Sequence, residues 1–229
     1  MPAGCVTRRT VMLGLAALPV TGCYAAPKLA DKPKPRKLEN QNAADPGALV
    51  ELKKLSPDIH LDIRYATANN FSGQVLYNQA RAFLVGPAAQ ALARAQLAAR
   101  ADGYGLLIHD AYRPWRVTKK MWDITPPAKR GFVANPKEGS RHNRGCAVDL
   151  TLYDRATGNA VAMPSAYDEF TGRAYRNYAG GSADETENRA RLERYMEAQG
   201  FIGISNEWWH FDYKDWAEYP ILDIPFSRI

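Results

Sequence analysis

The stretch 140-SRHNRGCAVDLTL-152 changes character at Cys146. From there Cys146, Val148, Leu150 and Leu152 alternate with Ala147, Asp149 and Thr151, the period-2 pattern of a strand over residues 146–153. One face is wholly apolar, so Asp149 projects from the other. His142 lies seven residues earlier, and the small residues Gly145 and Ala147 would let the backbone pass close to a site between the two. Near the chain's other end, 207-EWWHFDY-213 supplies a second strand over 208–213, with His210 in it and Glu207 three residues before that histidine.

Working outward, 59-IHLDIRY-65 places Ile59, Leu61, Ile63 and Tyr65 on one face of a half-buried strand. The segment 87-PAAQALARAQLAARADG-103 reads as a helix with Pro at its first position and Gly103 beyond its end. A buried strand follows at 104-YGLLI-108 and runs into 109-HDAYRPW-115, which Pro114 ends. Residues 184–199 repeat apolar positions at helical spacing, with Leu192, Tyr195, Met196 and Gln199 on one face and Gly200 as the stop. Helices interrupt the strands without a regular βαβ rhythm, which predicts an α+β domain with a mainly antiparallel central sheet flanked by helices.

The formal net charge of +6 resembles a nucleic-acid signal until it is located. Residues 1–40 hold seven basic and two acidic side chains, so the remainder is close to neutral, and no basic stripe argues for DNA or RNA. Arg8 and Arg9 precede the apolar run 11-VMLGLAALPV-20, which is too short for a permanent membrane span and reads as an export signal. The pair resembles a twin-arginine signal. The following 20-VTGC-23 resembles a lipobox, which makes Cys23 the lipidation site and residues 1–23 a lipoprotein signal peptide; the alternative is ordinary cleavage near Ala25-Ala26. Either reading places the mature protein outside the cytoplasm, and the lipobox reading makes it a membrane-anchored lipoprotein of the cell envelope. Residues 24–46, rich in Pro, Lys and Ala, read as a tether, and residues 47–229 as the domain. Of three cysteines only Cys146 lies in that domain, which therefore has no internal disulfide.

The mature chain has four histidines, His60, His109, His142 and His210. Hydrolytic zinc takes three His or carboxylate ligands and keeps a fourth position for water. His142, Asp149 and His210 form such a set, and Glu207 could reach the water without binding the metal and act as general acid and base. Taken singly, each is as readily a packed or capping residue, and spacing alone leaves both readings open.

The pattern S-x-H-x-x-G-x-A-x-D followed by E-x-W-H resembles the D-alanyl-D-alanine dipeptidases, VanX-type zinc peptidases of the class that includes zinc D,D-carboxypeptidases and the hedgehog domain. The likeness runs over residues 59–213 and includes 65-YATANNFSG-73, 103-GYGLLIHDAYRP-114, 130-RGFVA-134 and 200-GFIGISNEWWH-210. It implies a hedgehog/D,D-peptidase-like fold, one Zn2+ held by His142, Asp149 and His210, Glu207 as catalytic base and acid, and Arg113 as the stabiliser of the developing oxyanion. It further implies that Ser140 lies near the substrate and that Asp168 receives the substrate's ammonium. Asp110 is placed with the substrate residues as the orienter of the Arg113 loop, with turn capping as its alternative. Tyr65 lines the pocket or packs in the core. His109 stands where the family commonly has Trp, and Cys146 where it has Ser or Ala; Cys146 reads as a small buried hydrophobe, with a fourth metal ligand as the alternative.

The implied reaction is hydrolysis of D-Ala-D-Ala into two D-alanines. A zinc D,D-carboxypeptidase acting on peptidoglycan stem peptides would use the same chemistry in a more open cleft. A non-catalytic zinc domain that binds cell-wall fragments is the rival of another class.

Overall fold

Two long hydrophobic runs, one in a helix and one in a strand, organise the domain. The structure, a computed structural model, describes Met1 and residues 47–229. The expected signal peptide, the expected lipidation site Cys23 and the expected tether lie outside the described residues. No described helix is long and apolar enough to cross a membrane.

In chain order the elements are β1 (Leu49–Glu51), α1 (Leu52–Leu55), β2 (His60–Leu61), β3 (Phe83–Val85), α2 (Gly86–Ala101), β4 (Tyr104–Asp110), α3 (Trp115–Ile124), β5 (Ala147–Asp154), α4 (Ala183–Glu197), β6 (Phe201–Gly203) and β7 (His210–Tyr213). β1 and β3 form a two-stranded antiparallel sheet, and the other five form one sheet in the order β2-β4-β5-β7-β6. Only the β2–β4 pair is parallel; the remaining pairs are antiparallel, as the α+β reading expects. α2 packs on β4 and α4, and α4 on β5 and β6. The alanines of α2 that face the sheet are fully buried, and their small size lets the helix approach β4 closely.

Three expectations are refined. The strand expected over 59–65 shortens to β2, because the chain turns into a 3-10 segment at Arg64–Ala66; the burial of Ile59, Ile63 and Tyr65 still follows the predicted face. β4 runs two residues further than 104–108, through a register shift between Ile108 and Asp110 that sets Asp110 opposite Asp149. Pro114 does not merely end a strand: it starts α3, an amphipathic helix that the hydrophobic pattern did not single out. α4 begins with a capping box, Ser182 accepting from the Glu185 amide and Glu185 from the Ser182 amide.

Gly145 has a φ of +65, so it needs glycine, but not to make room at the site. A Cβ there would meet Leu49 Cδ2 at 2.6 Å and the Val85 backbone nitrogen at 3.2 Å. The close approach is to the small sheet, which the Gly145 carbonyl joins by accepting from the Val85 amide at 2.9 Å.

Candidate metal centre

Asp149 and His210 are direct Cα partners on β5 and β7, so their side chains leave the same face of the sheet from one rung. His142 comes from a 3-10 turn, His142–Arg144, just before β5. The turn is fastened by Asn143, whose side-chain amide donates to the Arg113 carbonyl at 2.9 Å and the Thr118 hydroxyl at 2.8 Å, while its Oδ1 accepts from the Ser140 amide at 2.8 Å. The Arg113 amide donates to the His142 carbonyl at 3.0 Å, which joins the two motif segments directly.

His142 Nε2, His210 Nδ1 and Asp149 Oδ1 converge, with separations of 3.2, 3.3 and 2.9 Å. The outer ring nitrogens set the tautomers. His142 Nδ1 lies 2.7 Å from the Ala111 carbonyl, which can only accept, so Nδ1 carries the proton and Nε2 presents a lone pair. His210 Nε2 lies 2.9 Å from Asp212 Oδ1 and donates to it, leaving Nδ1 to face inward. Three lone-pair atoms thus face one another at close range, an arrangement that needs a positive charge among them. The edge of a tetrahedral zinc site is about 3.3 Å for ligand distances of about 2.0–2.1 Å, so the three donors fit a zinc-sized ion. Among the described residues this is the one group of histidine, cysteine and acidic side chains close enough to hold a metal. Burial opposes charge on His210, yet Asp149 and Asp212 override it and push the imidazole up to about 10, so without a metal a proton on Nδ1 supplies the positive charge, and a metal ion would take that proton's place.

The ligands open into a cleft of about 250 Å³. Glu207 stands on its wall with Oε2 at 4.0 Å from His210 Nδ1, and burial raises its carboxyl to about 7. Arg113 also lines the cleft; its Nε and Nη2 donate to Asp110 Oδ2 at 3.0 and 2.6 Å, and its guanidinium carbon sits 5.2 Å from the Tyr65 ring. Ser140 lines the cleft and accepts from the His142 amide through Oγ. Tyr65 is 3% exposed and lines the cleft. Asp168 also lines the cleft, and burial, then the charges of Asp149 and Glu207, push it up to about 8.

Asp110 is different. It is 1% exposed and lies behind Arg113 rather than on the cleft wall, with one oxygen held by Arg113 and the other by the Tyr77 hydroxyl at 2.7 Å. It orients the arginine and does not face a substrate. Cys146 is buried on the apolar side of the sheet, donates to the Arg144 carbonyl, and is pushed up to about 12 by burial, far from the behaviour of a metal thiolate. His109 packs its ring 4.7 Å from that of Tyr167 and contacts Asp62.

Two further residues of the site, Asp212 and Tyr167, are not marked by any motif in the sequence. Asp212 has a signal nonetheless, because it lies two positions after His210 on the same strand and so on the same face. Tyr167 has none: its place beside Asp149 depends on the loop that carries Asp168.

Comparison with known proteins gives a consistent answer. The family described as D-ala-D-ala dipeptidase (peptidase M15) matches residues 45–227. The D-alanyl-D-alanine dipeptidase of Escherichia coli (strain K12) is 38% identical over 184 residues, covering 80% of this chain and 94% of that protein. The D-alanyl-D-alanine dipeptidase of Enterococcus faecium is 35% identical over 185 residues, covering 72% and 90%. Among solved structures, VanYB in complex with D-alanine-D-alanine aligns with a TM-score of 0.37 and 17% identity over 60% of this chain and 75% of that one.

Proposed function

The chain belongs to the peptidase M15 family of D-Ala-D-Ala dipeptidases, and from that premise we propose that its cleft hydrolyses free D-alanyl-D-alanine to two D-alanines with one zinc ion held by His142, Asp149 and His210. The observation that carries this reading is a pair of carboxylates lining one small cleft: Glu207 beside the metal ligands, and Asp168, held by the Tyr65 hydroxyl.

When bound, zinc supplies Lewis acidity, polarising a peptide carbonyl and lowering the pKa of a water molecule. Glu207, with a carboxyl raised to about 7, accepts a proton from the attacking water and returns it to the departing amine. Arg113 has two donors spent on Asp110, which fixes the guanidinium plane and turns its remaining donors toward the cleft, where negative charge develops on the carbonyl oxygen. Asp168, half-buried and raised to about 8, is a site short of positive charge, and a free ammonium supplies it. An N-acylated peptide brings no such charge and must bury its extra chain against the same wall. The cleft lies below the ~300–1,000 Å³ range of drug-sized ligand sites, which suits a dipeptide.

The test is D-alanine release by the zinc-loaded protein from free D-Ala-D-Ala and from its N-acetyl derivative, side by side. Release from the free dipeptide is expected. Release chiefly from the acylated form would make the protein a D,D-carboxypeptidase, and release from neither would make it a binding domain.

We propose for the N-terminus that residues 1–23 direct export and that Cys23 anchors the chain to a membrane by a lipid, with residues 24–46 as the tether. The lipobox sequence and the Pro/Lys composition support this reading. Incorporation of labelled palmitate, abolished by Cys23→Ala, is the expected result; unchanged labelling would remove the assignment.

A further inference from the structure

We propose that Tyr167 is a positioning residue for the metal ligand Asp149, and that together with Tyr65 it forms a hydroxyl chain joining that ligand to Asp168.

Asp149 uses Oδ1 toward the two imidazoles, and its other oxygen needs a partner of its own. Tyr167 provides it, its hydroxyl donating to Asp149 Oδ2 at 3.0 Å. The same hydroxyl lies 3.2 Å from the Tyr65 hydroxyl, which donates to Asp168 Oδ1 at 3.1 Å. Three contacts therefore run without a break from the metal ligand to the second carboxylate of the cleft. The Tyr167 ring is fixed in place, 8% exposed, with His109 at 4.7 Å and Trp209 at 5.3 Å from its centroid. Asp168 is the one non-glycine described residue with positive φ, at 59°, a conformation that aspartate tolerates better than most residues. That local bend lets consecutive residues serve both ends of the chain, Tyr167 the ligand and Asp168 the cleft.

A phenol has one proton. Tyr167 can give it to Asp149 or to the Tyr65 oxygen, and the choice depends on how strongly Tyr65 is drawn to Asp168. A cation resting on Asp168 weakens that draw and returns the Tyr167 proton to Asp149. Occupancy of the amine site is thereby felt at the metal ligand. The identity of that cation as a substrate ammonium rests on the dipeptidase reading; the role of Tyr167 toward Asp149 does not.

The experiment is a competition for zinc between the full chain and a chromophoric chelator, with circular dichroism to establish the fold of each variant. Tyr167→Phe keeps the ring and removes only the hydroxyl, and it is expected to weaken zinc binding by about tenfold or more. Asp168→Asn is measured alone and in a Tyr65→Phe background. Non-additivity of about threefold or more in zinc affinity is expected if the chain transmits. Zinc affinity of Tyr167→Phe within about twofold of wild type would overturn the positioning role, and additive effects of Asp168→Asn and Tyr65→Phe would overturn the chain. Should Tyr167→Phe fail to fold, the Tyr65→Phe cycle still decides the second claim, and Tyr167→Trp, whose indole also donates, replaces it for the first: tight zinc binding is expected, and weak binding in the folded variant overturns it. Zinc affinity is read without substrate, so a failure of dipeptide hydrolysis leaves this result intact.

Discussion

Asp149 and His210 stand on partnered positions of β5 and β7, whereas Tyr65 and Asp168 stand on turns and loops that no strand flanks directly. Two of the three metal ligands inherit their geometry from a ladder of backbone hydrogen bonds, and the third, His142, from a turn fastened by Asn143. The other part of the lining is assembled from side-chain contacts, Tyr65 to Asp168, Tyr167 to Tyr65, and the stacked Phe132–Phe170 pair at 4.7 Å. Strand-borne groups are held more exactly than loop-borne ones, which suits a cation with fixed ligand distances. Loop-borne groups can adjust, which suits the recognition of a small flexible peptide.

The sharpest way to break this contrast is to remove chemistry from the rigid half without disturbing its ladder. Glu207→Gln is expected to lower kcat by about 10²–10⁴-fold while KM and zinc content stay near wild type. A large rise in KM would instead place Glu207 in binding. The pH profile sharpens the same point. Glu207 must be ionised to accept a proton, and its carboxyl is raised to about 7 by burial, while a bound cation pulls it down. Activity therefore falls as pH drops, along an acidic limb of kcat/KM with its midpoint at or below about 7; in Glu207→Gln that limb disappears.

The loop half should fail differently. Asp168→Asn removes a charge-assisted contact, worth about 2 kcal/mol, so KM for the free dipeptide should rise about 30-fold with kcat changed much less. Activity on the N-acetyl dipeptide, already poor, should not fall further. An equal loss on both substrates would show that Asp168 supports the loop rather than the ammonium.

The same division explains what is legible in the sequence. The alternation of Cys146, Val148, Leu150 and Leu152 is enough to put Asp149 on the opposite face, and the strand through His210 does the same for that ligand. Asp212 is legible by the same rule, carried two residues on from His210. The substrate half has no periodicity to read. Asp168 rests on resemblance alone, and Tyr167 depends on a positive φ at the residue after it, which no pattern of hydrophobicity encodes. Asp110 shows a third case: the β4 register shift pairs it with Asp149, yet both its oxygens are taken, one by Arg113 and the other by Tyr77, so it holds the arginine rather than lining the cleft. Gly145, read from sequence as making room at the site, makes room for the small sheet. Gly145→Ala should cost about 2 kcal/mol through a strained φ and the Leu49 contact, lowering Tm by about 4–8 °C. Zinc affinity should change less than stability, since Asp149 and His210 are placed by the larger sheet and only His142 rides on the turn that Gly145 closes.

The smallest effect is expected at Cys146, and it tests whether the two faces of one strand end are independent. Cys146 lies three residues before Asp149, so the alternation of β5 turns it to the other side, where it is fully buried among apolar side chains. Its thiol donates to the Arg144 carbonyl and is pushed up to about 12 by burial, so it stays protonated over the whole range in which the protein would work. A protonated thiol on the far face adds packing and nothing to the cage. Cys146→Ala should therefore cost about 1 kcal/mol of stability, close to the burial of one small apolar group, and leave zinc affinity and kcat/KM unchanged. Loss of zinc at unchanged stability would mean that the sulfur reaches the ion, which the strand's alternation forbids unless the turn at Gly145 rearranges.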